Sequence, residues 1–206
     1  MKWRGAVLAI VAILLSSSIS FANITDLTYA SDGDGAFVCS NYWWSGSSAS
    51  LTCPVSGSQY WGPGHLLGSV TTDSPDDPTL TIASAVDNDT AFAWTAYFVN
   101  VYMNTPFALS NVVVTAPGDW SVVSVTQPVL VGTNYVGSME FDTGTPIPNG
   151  GVGELGFSYQ MQFGSSTHYS FTQEMIPVPE PGAMGLVAVG GVLLASLRRV
   201  RPQPRA

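Results

Sequence analysis

Through residues 23–175 apolar side chains recur at every second position, in short runs bounded by Gly, Pro, Asn and Asp, and no segment sustains a helical period. That is the pattern of strands with one buried and one wet face. It is clearest at Leu155, Phe157, Tyr159, Met161 and Phe163, with Gly156, Ser158, Gln160 and Gln162 between them. Leu80, Ile82 and Val86 alternate with Thr79, Thr81 and Ala83, and Ser84 interrupts the apolar face. Residues 91–103 form a longer run with Phe92, Trp94, Ala96 and Phe98 on one side and Tyr97, Val99 and Val101 on the other. Apolar groups on both faces predict a central strand. Further strands are expected at 36–43, 50–53, 66–71, 111–116, 120–126, 135–141 and 169–174, separated by turn-forming stretches at 73–78, 116–119 and 144–151. Strands this short and this numerous predict an all-β chain folded as an antiparallel β-sandwich, jelly-roll-like. An immunoglobulin-like sandwich is the alternative, although Cys39 and Cys53 are too close in sequence for its inter-sheet bridge.

The two ends break this pattern. Lys2 and Arg4 precede an apolar run, residues 5–15, and then small polar residues with Ser20 and Ala22 at the positions a signal peptidase reads. A signal peptide over residues 1–22, cleaved before Asn23, is expected, because a run this short falls below the roughly 20 residues a permanent span needs. At the other end Ile176-Pro177-Val178-Pro179-Glu180-Pro181 reads as an extended stalk leading to an apolar helix over 182–197 and then Arg198 and Arg199. The arginines stay on the cytoplasmic side, since carrying them through hydrocarbon is costly, so both ends place the body across the membrane from the cytoplasm. The expected organisation is a signal peptide at 1–22, a sandwich ectodomain at 23–175, a motif, short transmembrane helix and arginine cluster at 176–201, and a cytoplasmic tail at 202–206.

Pro179, Glu180 and Pro181, the short apolar run, and Arg198 and Arg199 near the chain end resemble the PEP-CTERM sorting signal of Gram-negative bacteria. The resemblance covers residues 177–201 alone. It implies recognition by an exosortase-like membrane enzyme at the inner membrane, anchoring through the C-terminal helix or release to the cell surface, and association with exopolysaccharide and biofilm matrix.

Charge bounds what the body can do. All fourteen carboxylates lie between Asp26 and Glu180, and all six Lys and Arg residues lie outside that stretch. A body without a cationic side chain cannot clamp phosphates, which excludes nucleic-acid and nucleotide binding. Cys39 and Cys53 are expected to close a fifteen-residue disulfide loop. Asp32-Gly33-Asp34-Gly35 is a fragment of a calcium loop, Asp32 and Asp34 being the favoured ligands, although an ordinary turn explains the same residues. Tyr42, Trp43, Trp44, Tyr60 and Trp61 are candidates for an aromatic glycan platform; core packing is the competing reading. No nucleophile elbow, zinc-protease helix, P-loop or dinucleotide fingerprint occurs. Glu140, Asp142, Glu154 and Glu174 are the carboxylates from which a glycosidase pair would be drawn, and nothing in the sequence singles them out. The expected function is therefore that of a non-enzymatic envelope or matrix protein without a resident cofactor. A carbohydrate-binding module and a secreted glycoside hydrolase are the alternatives.

Overall fold

A computed structural model describes residues 21–150 and 154–181. The expected signal helix, the C-terminal apolar helix and the arginines at 198 and 199 lie outside the described residues. Among the described residues no helix is long and apolar enough to cross a membrane.

Eleven strands follow one another: β1 Ile24–Ser31, β2 Phe37–Tyr42, β3 Ser50–Gln59, β4 Gly64–Thr72, β5 Thr79–Asn88, β6 Trp94–Met103, β7 Phe107–Ala116, β8 Ser121–Val131, β9 Asn134–Ile147, β10 Glu154–Phe163 and β11 His168–Pro179. They form two packed sheets, a six-stranded sheet A in the order β1-β4-β11-β6-β9-β8 and a five-stranded sheet B in the order β2-β3-β5-β10-β7. The chain is all-β, as the alternation predicts. One pairing departs from the antiparallel expectation: β3 and β5 run parallel, Ser50 opposite Thr79 through Gln59 opposite Asn88. A parallel neighbour needs a crossover, and β4 supplies it by passing through sheet A between them.

Burial follows the period-two pattern closely. Leu155, Phe157, Tyr159, Met161 and Phe163 are all buried, as are Leu80, Ile82 and Val86. Ser84 shares their face, and its buried Oγ has no hydrogen-bond partner. Strand β6 lies between β11 and β9, and its Trp94, Tyr97, Val99, Val101 and Met103 face the core. Trp94 joins that face rather than the opposite one because the register slips between Trp94 and Ala96. The rings interlock across the interior: Phe141 and Phe157 lie 5.0 Å apart, Trp94 and Tyr97 5.0 Å, and Phe163 and Tyr169 4.5 Å. Two glutamines cross this apolar interior. Gln173 Oε1 accepts from the hydroxyls of Tyr29 and Tyr159, each at 2.9 Å. Gln59 Oε1 accepts from Tyr97 at 2.8 Å, while its Nε2 donates to the Trp61 carbonyl at 2.5 Å. Buried polar atoms without such partners would be costly, so these contacts fix the register of the two sheets.

The last strand continues past Met175. Residues Ile176, Pro177, Val178 and Pro179 pair with β6, Pro179 standing opposite Trp94. Prolines are admissible there because β4 begins opposite Met175 and leaves β11 with one neighbour from that point on. Pro177 is buried against Gly62, whose missing Cβ would otherwise lie 2.6 Å from the Pro177 Cδ.

The expected disulfide is not formed, and both cysteines are free. The register gives the reason: Cys39 faces Gly57, four residues along β3 from Cys53, or about 13 Å of strand. A disulfide needs Cα atoms within about 7 Å. Cys53 is instead a core residue whose thiol burial pushes up to about 11.

Candidate functional sites

The outer face of sheet B is made from the wet halves of its alternating strands, and at its middle those halves are small. Ser56 lies beside Ala85 and Pro54 beside Ala83 across β3 and β5; Ala83 in turn faces Ser158 and Ala85 faces Gly156 across β5 and β10. Small side chains on three adjacent strands leave a trough of about 440 Å³, walled by Asn41 and Trp43 on the β2 side and by Thr115 on the β7 side. Thr115 stands over Gly156, where a Cβ would meet its Oγ1 at 2.5 Å. Five strands at about 4.8 Å spacing give the face a width of about 19 Å. No carboxylate lines the trough, and its polar lining includes the amide of Asn41 and the hydroxyls of Ser56, Thr115 and Ser158.

Trp43 follows the end of β2, tied by its N–H to the Pro54 carbonyl at 3.3 Å, and is 57% exposed. A half-exposed indole at the rim of an uncharged hydroxyl-lined trough offers a stacking face beside neutral hydrogen-bonding groups. The five aromatic candidates do not form one platform. Tyr42 packs beside Tyr29 at 6.2 Å, and Trp44 is half-buried against the core. Tyr60 and Trp61 are exposed, but their backbone N–H groups meet the Ala36 carbonyl, at the opposite end of β2 from Trp43. The length of that strand, about 17–20 Å, separates the two groups. The floor residues Ser56, Ala83, Ala85 and Ser158 were not legible as a site, because small residues on the wet face of a strand carry no signature of their own. Their signal is the juxtaposition of Ala83 and Ala85 on one strand with Gly156 and Ser158 on its neighbour.

A second constellation gathers at the edge of sheet A. Asp32 Oδ1 accepts the Asp34 N–H at 3.1 Å and Asp34 Oδ1 accepts the Ala36 N–H at 2.7 Å, two consecutive turns closed by carboxylates. His65, opposite them at the start of β4, lies with Nδ1 3.1 Å from Asp32 Oδ2 and Nε2 3.6 Å from Glu174 Oε1. Asp32, Asp34 and His65 each offer one ligand atom, all within 4.8 Å of one another. Glu174 Oε2 accepts from Asn100 Nδ2 at 2.8 Å and from the Tyr102 hydroxyl at 2.7 Å. The Asp34 N–H, followed by His65, holds the Asp32 carboxyl below its usual range. Partial burial would raise Glu174, but the bonds from Asn100, Tyr102 and His65 outweigh it and leave its carboxyl lowered. Burial and the Glu174 carboxylate push Tyr102 up to about 12. Trp61 leans over this loop, its Cη2 3.3 Å from where a Gly35 Cβ would be. Two carboxylates and an imidazole are a sparse set for calcium, which takes six to eight oxygens, and an imidazole nitrogen suits a transition metal better. Their own hydrogen bonds already account for the loop's shape.

Pro179 and Glu180, expected from the sequence to belong to a sorting motif, stand at the margin of the sandwich. Glu180 donates its backbone N–H to the Ala93 carbonyl at 3.2 Å, and Pro181 is exposed. Comparison of the chain with family models, with curated proteins and with solved structures returned no match.

Proposed function

We propose that this chain is a non-enzymatic, exported component of a Gram-negative envelope or extracellular matrix, sorted by a signal peptidase and an exosortase-like enzyme, and that it associates with exopolysaccharide through the trough on sheet B. The observation that carries the glycan reading is the trough itself: uncharged, floored by small residues, and bordered by the exposed indole of Trp43. A neutral polysaccharide suits it, because a body with fourteen carboxylates and no Lys or Arg repels an acidic one. The strand order supports a jelly-roll-like description in finer detail. Strands β4 to β11 alternate between the layers to give β4-β11-β6-β9 facing β5-β10-β7, with β8 turned onto β9 rather than β7.

Hydrolysis is the weaker reading. The trough holds no carboxylate, and the hollow beside Phe107 and Phe163 holds Asp77 alone. Glu140 and Glu174 share the outer face of sheet A, but β6 separates them and their register differs by one two-residue step. That sets their Cα atoms about 12 Å apart, with Glu140 accepting from Ser124 and Glu174 from Asn100 and Tyr102. The test is electrophoresis of the chain through native gels cast with neutral or acidic polysaccharides. Retardation by a neutral glycan is expected, reduced about tenfold in apparent affinity by Trp43→Ala and little changed by Trp61→Ala. Equal mobility of wild type and Trp43→Ala in every gel removes the trough as a glycan site.

A further inference from the structure

The trough on sheet B continues on its β7 side into a second group of built polar side chains. Gln160 pairs with Ser110 and Ser158 with Val113, so β7 takes three residue steps where β10 takes two. The extra residue is accommodated at Asn111, whose φ of 49° lies in the left-handed region that asparagine tolerates better than most residues. Strict alternation after the buried Leu109 and the exposed Ser110 would turn Asn111 inward. The bulge instead leaves Asn111 exposed and gives the inward position to Val112, which packs against the core. On the wet face Asn111 Nδ2 donates to Gln160 Oε1 at 2.6 Å. That bond uses one hydrogen of one amide and one acceptor site of the other, and leaves the Asn111 carbonyl oxygen as an acceptor beside the Gln160 Nε2 donor.

The register places this pair relative to the indole. Gln160 stands opposite Thr81 on β5 and Thr81 opposite Thr52 on β3, so a row of hydroxyls and amides runs beside the floor row of Pro54, Ala83 and Ser158. Trp43 is level with that floor row, since its N–H meets the Pro54 carbonyl. Three strand spacings and one two-residue step separate β2 at Trp43 from β10 at Gln160, about 16 Å in all, a distance no single sugar ring can bridge. The indole suits the apolar face of a ring, and a neutral donor beside a neutral acceptor suits adjacent sugar hydroxyls, each of which does both. An aliphatic ligand would bury the same amides without pairing them, which is costly. Building on the glycan reading of the trough, we infer that Asn111 and Gln160 are its far anchor and that the ligand is a linear neutral polysaccharide, several sugars of which lie across the strands from Trp43 to this pair.

The test uses the protein as recovered from the cells that produce it, in native gels cast with hydroxyethyl cellulose, galactomannan or dextran. Two-sugar and six-sugar fragments of the same polymers serve as soluble competitors. Asn111→Gly keeps the left-handed backbone and removes one amide, and Gln160→Ala removes the other. Both variants should melt with the unaltered chain yet be retarded about tenfold more weakly, the effect of losing one or two neutral hydrogen bonds. The six-sugar fragment should compete about tenfold better than the two-sugar fragment against the unaltered protein, and Gln160→Ala should erase that preference. Equal competition by the two fragments overturns the far anchor. So does unchanged retardation of Asn111→Gly and Gln160→Ala where Trp43→Ala is weakened, a result that leaves the trough itself standing as a glycan site. Absence of retardation of the unaltered protein in every gel removes the trough and its anchor together.

Discussion

At the scale of single residues the most informative group is Glu174. It sits on β11 between His65 and Asn100, and its lowered carboxyl is the net result of partial burial opposed by donors from β6 and β4. A carboxyl that ionises more readily in the folded chain than in the unfolded one stabilises the fold above its ordinary value of 4.5, and that contribution is lost as pH falls through the folded value. Asp32, Asp73 and Asp119 are lowered in the same sense, Asp73 chiefly by the Asn23 side chain and Asp119 by the Thr145 N–H. The fold should therefore lose stability on acidification below about pH 4.5. Glu174→Gln keeps an acceptor for Tyr102 but removes the titration, so its thermal midpoint should fall less steeply between pH 6 and pH 3 than that of the unaltered chain. Parallel slopes would show that Glu174 carries none of the linkage.

Among whole elements, the close approach of β4 and β11 shows how side chains set strand geometry. Gly68 pairs with Phe171, and a Cβ at Gly68 would fall inside the Phe171 ring. Gly68→Ala must displace that ring from beside Tyr29, 5.4 Å away, and should destabilise the fold by about 1–3 kcal/mol in a urea titration. A change below about 0.5 kcal/mol would mean the ring relocates freely. The elements legible in the sequence were those with a clean period of two: β5, β6 and β10 are placed by Leu80 and Ile82, by Tyr97 and Val99, and by the five apolar residues from Leu155 to Phe163. Strand β1 is illegible because its buried residues are Ile24, Leu27 and Tyr29, and a register slip between Ile24 and Asp26 breaks the alternation. The far half of β3 is hidden behind Pro54 and Gly57, although Gly57 is needed where the Phe37 ring passes 2.5 Å from its missing Cβ. The candidate site was legible only in part. Trp43 and the Asp32–Asp34 pair stand out as residue types, but His65 joins the latter, and Ala83 and Ser158 the former, through strand pairings that sequence spacing does not encode.

At the scale of the molecule, the question is where the sandwich ends and its proposed tether begins. Composition suggests a boundary at Met175, since the prolines that follow look like a stalk. The register puts it at Pro179: Ile176 to Pro179 complete the pairing with β6, Pro177 fills the space left by Gly62, and Glu180 closes on Ala93. Cutting the chain at the proposed sorting motif would then leave every strand intact, whereas cutting at the compositional boundary would remove the end of a central strand. A protein spanning 23–181 should melt within about 2 °C of the full-length chain. One spanning 23–175 loses the buried Pro177 and four residues of pairing, which at about 25 cal/mol per Å² of apolar surface amounts to roughly 2 kcal/mol or more. For a body of this size that corresponds to a midpoint about 4–8 °C lower. Equal midpoints for the two truncations would mean that the proline segment is a passive stalk and that the sandwich stands without it. Intact mass then connects stability to sorting: protein released into the medium should retain Pro179 and lack the segment carrying Arg198 and Arg199, and a released form that still includes those arginines would argue against processing at the motif.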